Sequence, residues 1–255
     1  MSRLRSYRAA ALILKRRDIG EADRLLTIFT AQQGKSDVVA KGARKPDSAK
    51  SGHVELFTKV DVLVTLGRSL DVLTQAEVLE PYLPLREDLE RGAYAAYVTE
   101  LMDRFVLTDE DHQAALFHLL DETYARLCVD SDLRRVTRWY ELRLLDAVGF
   151  RPQLHECVVS HAPVLPEDQF FSLIEGGAVA PHSATPSPHL LPLPLGTLKL
   201  LRHLQRSPYK QVADLAISEA LHRDAERLML AYLRFLLERR LQSVDFLMRL
   251  RQIGP

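Results

Sequence analysis

The chain has 255 residues, 47% of them hydrophobic and 27% charged, with no net charge, a composition ordinary for a soluble globular protein of one large or two small domains. With only two cysteines, Cys128 and Cys157, a disulfide scaffold is excluded and a reducing, cytoplasmic compartment is expected. The apolar run Ala9 to Leu14 runs straight into Lys15-Arg16-Arg17, which makes it too short for a signal segment or a bilayer span.

Neutrality conceals an asymmetry. Residues 1–70 hold 14 Lys/Arg against 7 Asp/Glu, residues 71–150 hold 8 against 17, and the remainder holds 12 against 10. A basic front followed by an acidic middle is the electrostatic footprint of a polyanion binder, and a merely solvated basic face gives the same count.

The first eighty residues read as short strands. Tyr7 to Arg17, Arg24 to Thr30, Lys35 to Ala40, His53 to Leu66 and Leu70 to Glu80 are rich in Val, Ile, Leu and Thr, and Val60, Val62 and Val64 alternate. Between them stand turn residues: Gln33-Gly34-Lys35, Gly42 to Pro46, Gly52 and Gly67-Arg68-Ser69. Five such strands suit a small barrel, and the five-stranded OB type is the one whose face and loops bind single-stranded nucleic acid. The cations fall where such a barrel would use them. Lys15, Arg16 and Arg17 end the first strand, Arg24 follows the first turn, and Lys41, Arg44, Lys45 and Lys50 crowd one loop. About five phosphate contacts on a single strand would give log K a salt slope near −3.5. Tyr7, Phe29 and Phe57 sit in apolar runs and read as core rather than as base-stacking platforms, so backbone electrostatics should dominate.

From residue 81 the period changes to that of amphipathic helices. Glu87 to Leu107, Asp111 to Leu127 and Asp132 to Val148 place apolar residues three and four apart, the last closed by Gly149; Leu195 to Arg206, Gln211 to His222 and Arg223 to Arg240 continue the pattern. Nine of the thirteen prolines lie between 152 and 208, where regular structure should be interrupted. A catalytic reading finds little. Asp109 with Asp111, Glu87-Asp88 and nine scattered histidines form no nucleophile or metal signature, and no G-x-S-x-G or phosphate loop occurs. Thr108 to His112 reads as a helix start.

In order, Leu14 to Thr30, Gly34-Lys35, Val39 to Lys45, Glu55-Leu-Phe, Gly67 to Glu77, Leu85 to Asp88, Tyr140 to Leu145, Gly149 to Pro152 and Leu241 to Leu247 resemble the bacterial DNA repair and recombination mediator RecO family over nearly the whole chain. The resemblance implies an α+β protein with three parts: an N-terminal five-stranded OB barrel over residues 1–80, an all-α helical domain over 81–150 and 186–255, and a small zinc-ribbon-like insert over 151–185. It further implies a non-enzymatic role in the RecF-type pathway: binding single- and double-stranded DNA, annealing complementary strands, binding RecR, docking the acidic C-terminal tail of single-stranded DNA-binding protein, and helping load RecA. Carried over by position, DNA contacts are expected at Lys15, Arg16, Arg17, Arg24, Lys35, Lys41, Arg44, Lys45, Lys50 and Arg68. A protein-bridging adaptor with incidental nucleic-acid binding is the alternative.

Two further sites follow as expectations. An acidic, apolar-tipped tail needs a cation beside a hydrophobic groove, and Arg134, Arg135 and Arg138 with Trp139 are one candidate face, a solvated basic face flanking a core tryptophan being the ordinary reading. In ribbon-bearing family members two C-x-x-C pairs would fall at 157 and 160 and at 180 and 183, where this chain has Cys157, Ser160, Ala180 and Ser183. Serine is a poor zinc ligand and alanine none, so a ribbon-shaped, metal-free insert is expected, with Cys157, His155, His161 and His182 as an alternative ligand set of unfamiliar spacing.

Overall fold

The computed structural model describes residues 6–45, 48, 52–106, 112–238 and 241–253, the last three by backbone alone. Five strands, β1 (Ser6–Ile19), β2 (Asp23–Thr30), β3 (Gly34–Ala40), β4 (Lys59–Thr65) and β5 (Asp71–Glu80), close a barrel in the order β1-β2-β3-β5-β4. β1 is antiparallel to both β2 and β4, while β3 and β5 run parallel. This is the OB arrangement expected from the sequence. β1 serves two neighbours because it is long and bends at a bulge between Ile13 and Lys15, its first half pairing with β4 and its second with β2.

Alternation decides which side chains fill the barrel. Val60, Val62 and Val64 point inward and are fully buried, each contributing about 1.5–3 kcal/mol, while Lys59, Asp61 and Thr65 alternate outward. Ile13, Leu26, Ile28, Val38 and Leu73 complete the interior. The fourth strand is shorter than the run His53 to Leu66 suggested. Phe57 takes a left-handed backbone, φ 60°, which ends any extended run there, and its N–H bonds to the carbonyl of Ile13 at 3.2 Å.

The helices are α1 (Pro84–Glu87), α2 (Leu89–Phe105), α3 (Gln113–Val129), α4 (Leu133–Ala147), α5 (Leu195–Arg206), α6 (Tyr209–Val212), α7 (Glu219–Leu237) and α8 (Gln242–Ile253). Asp88 and Asp132 cap α2 and α4 by accepting from the N–H groups of Arg91 and Arg135. Gln211 to His222 is not the helix its periodicity suggested: the chain leaves helical structure after Val212 and re-enters at Glu219, capped by Ser218. Asp109 and Asp111 lie outside the described residues.

The chain divides into two compact units, residues 1–129 with 243–255, and residues 130–242. The helical part expected as one domain is therefore shared between them. In the first unit α2, α3 and α8 accompany the barrel. Phe29 meets Phe117 at 6.1 Å between ring centroids, Lys59 pairs with Asp121 at 2.7 Å, and buried Thr99 and Tyr124 share a 2.6 Å hydrogen bond. The second unit holds α4 to α7 and a three-stranded sheet, β7-β6-β8, of β6 (Gln169–Ser172), β7 (Gly177–Val179) and β8 (Leu190–Leu193). Gly177 is required in this sheet, because a Cβ there would stand 2.4 Å from Val158 Cγ1 and 2.7 Å from the carbonyl of Gln153. No described helix is long and apolar enough to cross a membrane.

Candidate nucleic-acid interface

Strand register gathers the basic loops at one end of the barrel. Arg17 pairs with Leu25 and Arg24 with Ala40, so the end of β1, the start of β2 and the segment after β3 are neighbours. Backbone bonds then lock the loops together: Arg44 N–H donates to the Ala22 carbonyl at 2.9 Å, and Gly42 N–H to Asp23 Oδ1 at 2.8 Å. Gly42, at φ 66°, makes the tight reversal that aims Lys41, Arg44 and Lys45 outward. Beside them Lys15, Arg16, Arg17, Leu25 and Asp37 line a groove of about 420 Å3.

The cations predicted from the sequence fall into two sets. Lys15 and Lys35 grip Asp103 of α2 at 2.5 and 3.4 Å. Glu55 takes Arg16 and, at 3.3 Å, Arg24, while Asp18 takes Arg24 and Arg44 at 3.2 and 3.3 Å. Arg17, Lys41, Lys45 and Arg68 are exposed and make no ion pair among the described residues. Lys50 lies outside the described residues. Arg17, Lys41 and Lys45 share the loop end, and Arg68 stands on the separate β4–β5 turn. Sequence reasoning missed the neutralising acids. Asp18 was visible beside its cations, but Asp103 arrives from a helix 68 residues downstream of Lys35, and no local pattern reports it. Among the described residues no aromatic platform accompanies the cations: Phe29 is fully buried, Phe57 packs edge-on against Tyr124 at 5.9 Å, and Tyr7 packs against the barrel core.

The face proposed for an acidic tail is closed. Arg135 is 7% exposed, bound to Asp130 at 2.8 Å and to the Leu215 carbonyl at 2.9 Å. Arg138 is 4% exposed against a fully buried Glu141 at 2.5 Å. Trp139 donates from Nε1 to the Ser207 carbonyl at 2.9 Å beneath the Arg143 guanidinium, and Arg134 pairs with Glu219 at 2.8 Å. These side chains hold unit two together because α4 is its central helix, buried on most of its circumference. Of the four residues of the expected docking face, Arg135, Arg138 and Trp139 are thus buried and Arg134 is half-buried.

In the insert Cys157 is buried, and its Sγ accepts from the N–H groups of Ala180 at 3.3 Å and Ser160 at 3.4 Å. Burial pushes the thiol up, but these donors outweigh it and hold its pKa at about 6. Turns at 157–161 and 180–183 close on themselves through His161 N–H to the Cys157 carbonyl and Ser183 N–H to the Ala180 carbonyl. His155, His161 and His182 are all exposed, and no cluster of three or more metal-capable side chains forms among the described residues. The set Cys157, His155, His161 and His182 is therefore not brought together.

Comparison with known proteins decides the family. Residues 1–82 match the family model described as Recombination protein O N terminal, and residues 86–245 that described as Recombination protein O C terminal. The chain belongs to the RecO family. It is 43% identical over 249 residues, 98% of its length and 87% of the relative's, to a protein named DNA repair protein RecO from Roseiflexus sp. (strain RS-1). Proteins of the same name from Desulforamulus reducens and Symbiobacterium thermophilum are 34% and 32% identical, over 97% and 96% of this chain and 96% and 98% of theirs. Membership of the RecO family assigns the chain to DNA repair and recombination, with the OB barrel as its N-terminal domain. The ribbon's zinc does not fit this RecO chain: one sulfur, two hydroxyls and a methyl stand at its four positions, and the sulfur's acceptor capacity is directed at two backbone N–H groups.

Proposed function

We propose that the protein is a non-catalytic recombination mediator that binds the DNA backbone through the loops of its barrel, anneals complementary single strands, and works with RecR and single-stranded DNA-binding protein to load RecA. The observation that carries this reading is the set Arg17, Lys41, Lys45 and Arg68: four exposed cations without an acid partner among the described residues, at the end of β1 and on the loops of an OB barrel in a RecO-family chain. Phosphate contacts from long flexible cations give affinity without sequence preference, and the scarcity of exposed aromatics on the barrel agrees with backbone rather than base recognition.

The five ion-paired cations are a reserve. Glu55, Asp18 and Asp103 hold them in the free protein, so the four unpaired cations set the salt dependence of the wild-type chain. Salt titration of binding to a fluorescent single-stranded oligonucleotide tests the division. Four contacts predict a slope near −2.8, about a 50-fold loss between about 50 and 200 mM salt, and each Ala substitution among the four should flatten it by about 0.7. A slope unchanged by the quadruple variant would point instead to a protein-bridging adaptor.

A further inference from the structure

Within the barrel-containing unit, the start of α2 and the outer side of α8 enclose an open groove of about 740 Å3. Leu89, the first residue of α2, is 65% exposed there, and Phe246 of α8 is 39% exposed. Two faces of α8 explain the latter. Val244 and Leu247 turn inward and are 2% and 6% exposed, whereas Phe246 and Leu250, spaced i,i+4, form a second apolar stripe lining the groove. Covering apolar side chains of this size is favourable, and clustered exposure of this kind marks an interaction surface.

The rim chooses the occupant. Glu87, Asp88 and Glu90 face Arg249 across the groove, three carboxylates against one guanidinium. Asp88 already caps α2, while Glu87 and Glu90 are exposed without an ion-pair partner among the described residues. Glu90 stands in the first turn of α2. Along this groove an acidic peptide meets like charge from Glu87, Asp88 and Glu90 and opposite charge from Arg249 alone.

We propose that this groove docks a Lys/Arg-rich amphipathic helix of a partner protein, its apolar residues at i and i+4 seated on Leu89, Phe246 and Leu250 and its cations on Glu87 and Glu90. The proposal is independent of how the barrel loops meet DNA. Fluorescence anisotropy of a labelled Leu/Lys amphipathic peptide, beside a Leu/Glu peptide of the same apolar pattern, tests it on the full chain. The Lys peptide is expected to bind at least tenfold tighter at low salt. Leu89→Ser with Phe246→Ser should weaken it at least tenfold, and Glu87→Gln with Glu90→Gln should erase the preference over the Glu peptide. The charge pair is exposed and without ion partners among the described residues, so it decides the matter if the Ser pair disturbs folding. Equal affinity for the two peptides, preference for the Glu peptide, or indifference to both double variants would overturn the proposal. Self-association abolished by the Ser pair, read by sedimentation, would assign the groove to a second copy and overturn it equally.

Discussion

Glu55 holds two of the expected DNA contacts, Arg16 and Arg24, and so sets how many cations the barrel presents. Glu55→Gln keeps the side chain's shape and removes the charge, releasing Arg16, whereas Arg24 keeps its pair with Asp18 at 3.2 Å. Binding to single-stranded DNA should tighten at low salt, and the salt slope should steepen by about 0.7, the equivalent of one added contact; an unchanged slope would mean that phosphate displaces Glu55 already. Cys157 makes a second prediction. Its folded pKa of about 6 lies below the ordinary value near 9, so the thiolate's contribution is complete above the unfolded value and is lost as pH falls through the folded one. Denaturant titrations between about pH 6 and 9 should show stability rising with pH, and Cys157→Ala should flatten that rise. Neither effect was legible from residue types. The sequence shows a cysteine without its three companions, but not that two N–H groups close on the sulfur; it shows clustered cations, but not which acids reach them across the fold.

Periodic elements were legible and their interruptions were not. Alternation in Val60, Val62 and Val64 and the three- and four-residue spacing of α2 to α5 gave strands and helices close to those observed. The failures have local causes. Phe57 adopts a left-handed backbone that its apolar neighbours do not advertise, and residues 213–218 leave the helix although their pattern is helical. Arg135 and Arg138 look like a solvated stripe in one dimension, yet α4 is surrounded and each guanidinium is spent on an internal acid. The start of that helix is correspondingly sensitive. Asp132 accepts from Arg135 N–H at 3.0 Å and meets His222 of α7 at 3.2 Å, and although burial pushes its carboxyl up, these partners hold it below its usual value. Asp132→Ala should destabilise the protein by about 1–3 kcal/mol, and Asp132→Asn, which keeps the cap, by less. Equal losses by thermal unfolding would show that capping is not the operative term.

At the level of the whole chain, family and barrel were readable because short motifs follow one another in order from Leu14 to Leu247, most densely along the barrel strands. Division into units was less so, since α8 joins the barrel unit from the far end of the sequence and only long-range packing reveals it. The central claim is that this RecO-family chain brings complementary strands together while they are coated, using the uncommitted cations of its barrel. Mixing complementary oligonucleotides precoated with single-stranded DNA-binding protein, with and without this protein, measures that directly. The account predicts accelerated annealing that declines as salt rises and is lost in the Arg17, Lys41, Lys45 and Arg68 quadruple Ala variant. No acceleration at any salt concentration, or full acceleration by the quadruple variant, would contradict it.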